Sequence, residues 1–199
     1  MKKAKKILVM VAALALTAAL AIGGTLAYLT SEDSVKNTFT VGKVAITLDE
    51  TNVDNDKYKN EKGEMETPAR DQANDYKLMP GSTYIKDPIV HVSSDSEAAW
   101  LFVKLENGLK DIIDDTTIEA QMVANTWTLI DADNNIYAYG SPVSAGANVN
   151  TFANFTIKDD VSNETLLTYE GKTIVVTAYA VQKENFASAQ AAWTDTFGA

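Results

Sequence analysis

The chain has 199 residues, of which 46% are hydrophobic and 22% charged, a balance that is ordinary for a folded domain and argues against wholesale disorder. Its formal net charge is −10, and so acidic a surface repels phosphate backbones, which argues against nucleic acid as a partner. The sequence has no cysteine and a single histidine, so disulfides, thiolate chemistry and multi-histidine metal centres are excluded, and no cofactor is expected.

Residues 1–27 have the pattern of a signal peptide. Four early lysines precede an uncharged, mostly apolar run from Ile7 to Ile22, which is short for a membrane span of roughly 20 residues but typical of a signal-peptide core. A Gly-Gly pair follows, and Thr25 and Ala27 are the small residues expected before a cut between Ala27 and Tyr28. The alternative is an uncleaved anchor. We expect an exported protein that meets the membrane only before cleavage.

The next segments divide the mature chain into a short N-terminal segment, 28–41, and a domain over 42–199. Apolar residues alternate up to Leu48 with a change of phase at Gly42, which predicts a strand with a bulge. The acidic, polar stretch over 49–77 is expected to be a long loop.

A Met-Pro-Gly-Ser turn over 79–82 then precedes two predicted strands, 84–92 and 98–105. Pro88 cannot donate a hydrogen bond to a strand ladder, so it marks the first of these as an edge strand or as a strand with a break.

The second half of the chain continues the same mainly β pattern. We expect a short helix near 109–114, a hairpin over 126–140, further strands over 147–157 and 172–181, and a C-terminal helix over 183–197. Many short strands separated by polar turns predict a mainly β fold, a two-sheet antiparallel sandwich with a few short helices.

Candidate chemical groups are few. Asp131, Asp133 and Asn135 begin like a calcium loop, but the sixth and twelfth positions hold Ile136 and Pro142, so a hairpin turn is the better interpretation. His91 lies between two valines of a strand pattern and is expected at the surface or rim, with no partner for a charge relay nearby in the sequence.

The aromatic residues mostly lie in strand or helix patterns, and core packing is their expected role. The alternative of a sugar-binding platform applies to the Tyr-Ala-Tyr stretch, Tyr137 to Tyr139.

Three stretches resemble the TasA/camelysin family of Gram-positive secreted proteins. The first matches a family pattern of a Gly-Gly-Thr-x-Ala cut region, an aromatic residue and an Asn-x-Phe-x-x-Gly motif through Gly23, Gly24, Thr25, Ala27, Tyr28, Asn37, Phe39 and Gly42. The second, Lys77–Glu106, is similar to the family's Pro-Gly turn and two strands, and the third, Thr173–Trp193, to its C-terminal strand and helix. Residues 107–172 have no such match.

This resemblance implies a jelly-roll-like sandwich that a SipW-type signal peptidase releases to the extracellular matrix or cell surface. It also implies a structural subunit of biofilm-matrix fibres, a head-to-tail homopolymer with an accessory anchoring protein as a further partner. In such fibres the freed N-terminus adds as a strand to the next subunit. The apolar residues of that candidate donor strand are Tyr28, Leu29, Val35, Phe39 and Val41, and the acceptor is expected beside an edge strand near Pro88. The alternatives are an ordinary first strand of the chain's own domain and an unstructured tail.

Camelysin itself is classed as a metallopeptidase, yet the sequence contains no zinc-ligand motif. We therefore expect no catalytic or metal-binding residues and a protein that is not an enzyme. The alternatives are a camelysin-type secreted metallopeptidase and a monomeric cell-surface adhesin or carbohydrate-binding module.

Overall fold

The structure is a computed structural model that describes residues 43–53, 70–114, 118–184 and 186–198. The predicted signal peptide, its cleavage residues Thr25, Ala27 and Tyr28, the donor segment over 28–41 and the predicted bulge at Gly42 lie outside the described residues.

The first sheet consists, in chain order, of β1 (Ile46–Thr51), β2 (Arg70–Asp71), β4 (Ile89–Val92) and β8 (Asn148–Asn150). Its spatial order is β2-β1-β4-β8, and every pair is antiparallel. In β1 the residues Ile46, Leu48 and Glu50 point to one face and Asp49 to the other, because side chains alternate along a strand.

The second sheet is longer and contains β5 (Ala99–Asn107), β6 (Trp127–Asp131), β7 (Ile136–Tyr139) and β10 (Ile174–Gln182). Its order is β10-β5-β7-β6, again with antiparallel pairs only. Strand β10 pairs with β5 over its full nine residues, so these two strands form the longest pairing in the described sheets.

The remaining strands, β3 (Thr83–Ile85) and β9 (Asn154–Thr156), form a separate antiparallel pair. The chain passes from β3 to β4 of the first sheet at Pro88, and it returns from β8 to β9 next to the same point. There Thr151 donates two hydrogen bonds to the Pro88 carbonyl, one from its backbone N–H (3.0 Å) and one from its hydroxyl (2.8 Å). Pro88 therefore marks a break between two strands, which confirms one of the two alternatives predicted from the sequence. The other prediction, an edge strand, is wrong, because β4 lies between β1 and β8.

The two large sheets enclose the main hydrophobic core. Inward-facing residues of β4, such as Val90, and of β5, such as Leu101 and Val103, are 0% exposed in this cluster. A second, smaller cluster covers the outer face of β5, where Phe102 lies under the C-terminal helix. Strand β5 is thus buried on both faces, which explains its continuous apolar sequence.

Three short helices complete the described chain: α1 (Ile118–Ala124), α2 (Asn163–Leu167) and α3 (Ala189–Phe197). Helix α3 begins after Ser188, whose hydroxyl accepts a hydrogen bond from the Ala191 N–H (3.2 Å). The helix is shorter than the predicted 183–197, so Phe186 lies before it and is not at helical spacing with Ala189 and Trp193. All three residues still pack on the outer cluster. The helix expected near 109–114 is a single 3-10 turn over Lys110–Ile112.

The mainly β, antiparallel fold is confirmed, and so are the turn with Gly81 at a φ of 68° and the hairpin that joins β6 to β7. In that hairpin Asp131 accepts hydrogen bonds from the backbone of Asp133 and Asn134, which is a turn and not a calcium loop. The stretch predicted as an acidic loop over 49–77 contains two pieces of strand, because β1 continues to Thr51 and β2 pairs with it at Arg70 and Asp71, whereas residues 72–77 have no regular secondary structure.

Truncation of a buried leucine should cost far more stability than truncation of an exposed one. We expect Leu101→Ala, at a site that is 0% exposed, to lower the free energy of unfolding by about 2–5 kcal/mol. Leu129→Ala, at a site 44% exposed on the edge strand β6, should change it by less than about 0.5 kcal/mol. Urea denaturation of both variants checks this, and equal losses would contradict the assignment of the core.

Candidate functional site

A groove of about 820 Å³ lies between β1 of the first sheet and β10 of the second. Half-buried apolar residues from both strands line it and pack against the edge of the main core; they are Ile46, Leu48, Ile174, Val176 and Ala178. The groove therefore offers a strip of apolar surface that runs along two strands.

The strands on both sides of the groove have an edge that no described strand occupies. Strand β10 pairs only with β5 among the described residues, and β1 pairs with β2 only at Glu50 and Thr51. Over Ile46–Leu48 and along β10, backbone groups on the groove side are thus not part of a described ladder. A strand edge of this kind is a template for the addition of another strand.

The third side of the groove is the chain from 71 to 76, which follows β2. Tyr76 anchors this segment, because its hydroxyl donates to the Ile85 carbonyl (2.9 Å) and its ring packs edge-on against Phe155. Burial, with smaller contributions from the charges of Glu50 and Asp87, raises the pKa of Tyr76 well above its ordinary value. Tyr76 therefore stays a neutral hydrogen-bond donor at any physiological pH.

A buried polar cluster lies at the same end of the groove. The Lys86 ammonium is 2.7 Å from one carboxylate oxygen of Glu50, and the Asn74 side-chain amide donates to the other oxygen at 2.9 Å. The side chains of Glu50 and Lys86 are only 6% and 10% exposed. Sequence reasoning missed Glu50 because it ended the strand at Leu48, although Glu50 continues the alternation of Ile46 and Leu48. It missed Asn74 and Lys86 because they lie 24 and 36 residues from Glu50.

A second polar network fixes β2 from the outer face of the first sheet. The guanidinium of Arg70 forms ion pairs with Asp49 and Asp87, and it also donates to the Asp87 carbonyl oxygen at 2.9 Å. Asp87 also accepts from the backbone N–H and the hydroxyl of Thr51. Burial would raise the pKa of both carboxyl groups, but these hydrogen bonds and the positive charge of Arg70 outweigh it, so both pKa values lie below the ordinary range.

His91 belongs to this network. As the sequence predicted, it faces away from the buried Val90 and Val92. Its charge partner is distant in the sequence: its Nε2 lies 3.0 Å from an Asp49 carboxylate oxygen, and its Nδ1 lies 2.7 Å from the Asn148 side-chain oxygen. Burial would lower the pKa of His91, but the hydrogen bonds to Asp49 and Asn148 raise it above its ordinary value.

The aromatic residues do not form a sugar platform in the Tyr-Ala-Tyr stretch. Tyr137 is buried in the main core, and the ring of Tyr139 packs edge-on against Trp127 at 5.3 Å. Within the described part of the chain, no three acidic or histidine side chains are grouped so that they could hold a metal ion. No helix formed by these described residues is long and apolar enough to cross a membrane.

Comparison with known proteins finds a family at the N-terminus. The family model for camelysin metallo-endopeptidase matches residues 2–61. No curated protein and no solved structure matches the chain. The resemblance to the TasA/camelysin family that the sequence indicated is confirmed over this segment, most of which lies outside the described residues.

The network around His91 makes stability depend on pH with a definite sign. Because the folded pKa of His91 is raised, its ion pair stabilises the fold fully below the ordinary pKa of 6.5 and is lost as the pH rises through the folded value. We expect wild-type protein to be more stable than His91→Asn by up to about 1 kcal/mol at low pH, and by less at high pH.

Urea denaturation at about pH 5.5 and about pH 8.5 measures this difference. The matched control is the same His91→Asn exchange in an Asp49→Asn background, where the pH dependence should be much reduced. A stability difference that is the same at both pH values, or larger at the higher one, would contradict the ion pair.

Proposed function

We propose that this chain, which carries the N-terminal region of the camelysin family, is a secreted structural subunit of extracellular fibres. In this proposal, signal cleavage after Ala27 frees residues 28–41, which add as a strand to the groove between β1 and β10 of a second copy. The groove is the observation that supports it, because it combines an apolar strip with strand edges on both sides. Main-chain hydrogen bonds would supply the affinity, and side-chain pockets the specificity.

The donor segment fits this groove in pattern and in length. Val35, Phe39 and Val41 are all odd-numbered, so an extended backbone places them on one face, towards the apolar strip. Extended residues 35–41 span about 23 Å, comparable with the 6 residues of β1. The opposite face carries Lys36, Thr38 and Thr40, which suit a surface in contact with water.

The proposed acceptor agrees in place with the sequence-based expectation, because Pro88 is among the residues that line the groove, but its strand edges are not those of the strand that follows Pro88. The Pro88 carbonyl is occupied by two hydrogen bonds from Thr151, and β4 has partners on both sides. The strand edges beside the groove are those of β1 and β10. Donation to the next copy is head-to-tail and does not close on itself, so it produces a fibre.

In this proposal cleavage of the signal peptide controls assembly. Before cleavage, residues 28–41 continue into the apolar run that ends at Ile22, and a strand held at the membrane cannot be donated. The proposed partners are a SipW-type signal peptidase, further copies of the chain and an accessory anchoring protein. The proposed location is the extracellular matrix or cell surface.

The first test compares protein 28–199 with protein 42–199 by negative-stain microscopy and light scattering. We expect regular fibres from the longer protein and folded monomers from the shorter one. If both stay monomeric, the fibre proposal fails and a monomeric adhesin becomes the better interpretation. If the shorter protein is unfolded, residues 28–41 are a strand of their own domain.

A pair of matched substitutions tests the face of the donor strand. Phe39→Asp places a charge on the face that should enter the groove, and we expect it to reduce fibre yield at least about tenfold, since burial of an unpaired carboxylate is costly. Thr38→Asp adds the same charge to the opposite face and should leave the yield within about twofold. Equal effects of the two substitutions, measured by sedimentation of fibres, would contradict the proposed orientation.

We propose that the chain is not a peptidase, although the matching family model is named for one. Incubation of homogeneous protein with casein, with and without a chelator, tests this. We expect no cleavage in either sample, and chelator-sensitive cleavage would overturn this part of the proposal.

A further inference from the structure

The buried polar cluster at the end of the groove has the geometry of a reaction centre. Glu50 binds two nitrogens with its two oxygens: Lys86 Nζ at 2.7 Å from Oε2 and Asn74 Nδ2 at 2.9 Å from Oε1. One carboxylate therefore touches an amine and a carboxamide at the same time.

The Asn74 carboxamide is also held in a fixed orientation. Its Nδ2 donates a second hydrogen bond to the Thr51 carbonyl (3.0 Å), and its Oδ1 accepts from the backbone N–H of Val53 (2.8 Å). A backbone N–H at this oxygen is placed where negative charge develops when a nucleophile adds to the carboxamide carbon.

Burial makes the cluster unlike the other ion pairs of the described chain. Glu50 and Lys86 are 6% and 10% exposed, whereas both side chains of the Lys43–Asp95 pair are more than 60% exposed. A charge pair that is buried in this way loses its hydration, and transfer of one proton from the ammonium to the carboxylate removes both charges. The product is a neutral amine, which is a nucleophile, and a carboxylic acid, which is a proton donor.

We propose that Lys86 and Asn74 join covalently in an intramolecular isopeptide bond, with Glu50 as the proton carrier. Glu50 takes a proton from Lys86, whose free Nζ lone pair attacks Cγ of Asn74. The carbonyl electrons move to Oδ1, where the Val53 N–H stabilises the oxyanion. Glu50 then protonates Nδ2, the bond from Cγ to Nδ2 breaks, and ammonia leaves.

Atoms, protons and electrons balance in this reaction without any other reactant. The new Nζ–Cγ bond replaces the broken Nδ2–Cγ bond, and no atom is oxidised or reduced. The second proton that Nζ loses passes through Glu50 to the departing ammonia, which leaves as ammonium. Glu50 ends as the carboxylate with which it began. The protein loses the atoms of one ammonia.

The bond would close one wall of the groove covalently. Asn74 belongs to the segment 71–76 that forms the third side, and Lys86 lies directly before the chain enters the first sheet. The chain has no cysteine, and this cross-link would stabilise that wall as a disulfide stabilises other proteins. It would reduce the conformational entropy of the unfolded chain, and it would resist mechanical opening of the groove.

The mass of the intact, denatured protein 28–199 tests the proposal. We expect a mass lower than that of the sequence by one ammonia, and proteolytic fragments in which Asn74 and Lys86 are joined. The full sequence mass in folded protein would overturn it. So would loss of water with a Lys86–Glu50 link, or loss of ammonia at any other site.

Three variants separate the reaction from simple stabilisation. Lys86→Arg keeps a positive charge beside Glu50 but removes the amine, so it should show the full sequence mass and a lower midpoint of thermal unfolding. Asn74→Asp should still form the link to Lys86, but with loss of water in place of ammonia. This variant tests the reaction even if Lys86→Arg does not fold. Lys104→Arg, in the more exposed pair with Glu106, is the control and should keep the loss of ammonia. An unlinked Asn74→Asp variant that is folded, or a linked Lys86→Arg variant, would contradict the mechanism.

Discussion

Among the residues that the structure describes, the two packed sheets are incompletely closed at one side, and the proposed function depends on this feature. The main core holds β4 and β5 face to face, but at one side the sheets end in β1 and β10, which are not paired with each other. Ile46, Leu48 and Val176 reach the edge of the core there and stay half-buried. Apolar surface and strand edges at the same place are costly to leave in water, and a strand of suitable pattern satisfies both.

Residues 71–76 form the third side of the groove, and side-chain contacts fix this stretch, together with Arg70 of β2, from two sides. On the outer face of the first sheet Arg70 joins Asp49 and Asp87, while on the inner side Glu50 binds Asn74 and Lys86. A buried ion pair contributes little stability by itself, because the desolvation of its two charges offsets their attraction. Its more specific effect here is geometric, because Glu50 holds the Lys86 amine and the Asn74 carboxamide on the two oxygens of one carboxylate.

The sequence predicted the parts of the fold that depend on local patterns. Alternation of apolar residues indicated the strands, and Pro80 with Gly81 indicated the turn. The C-terminal helix was also predicted, but it begins only at Ala189, after Phe186. Contacts between distant residues could not be read in the same way. His91 was placed on the correct face of its strand, but its partner Asp49 is 42 residues away.

Local sequence patterns could not predict the groove either, because it also depends on contacts between distant residues. Its two walls, β1 and β10, are more than 120 residues apart in the chain, and their closeness follows from the packing of whole sheets. Glu50 illustrates the point in one residue. A charge after Ile46 and Leu48 indicated the end of a strand, and the partners that make its burial possible, Lys86 and Asn74, are both distant in the sequence.

Hydrogen exchange on protein 28–199, measured residue by residue before and after assembly, tests whether the groove accepts the N-terminal strand. We expect the amides on the groove side of β1 and of β10 to exchange quickly in the monomer and to become protected in fibres, together with those of residues 28–41. Protection of all three segments already in the monomer would mean that the N-terminal segment fills its own groove. Fibres in which β1 and β10 stay unprotected would contradict the groove as the acceptor.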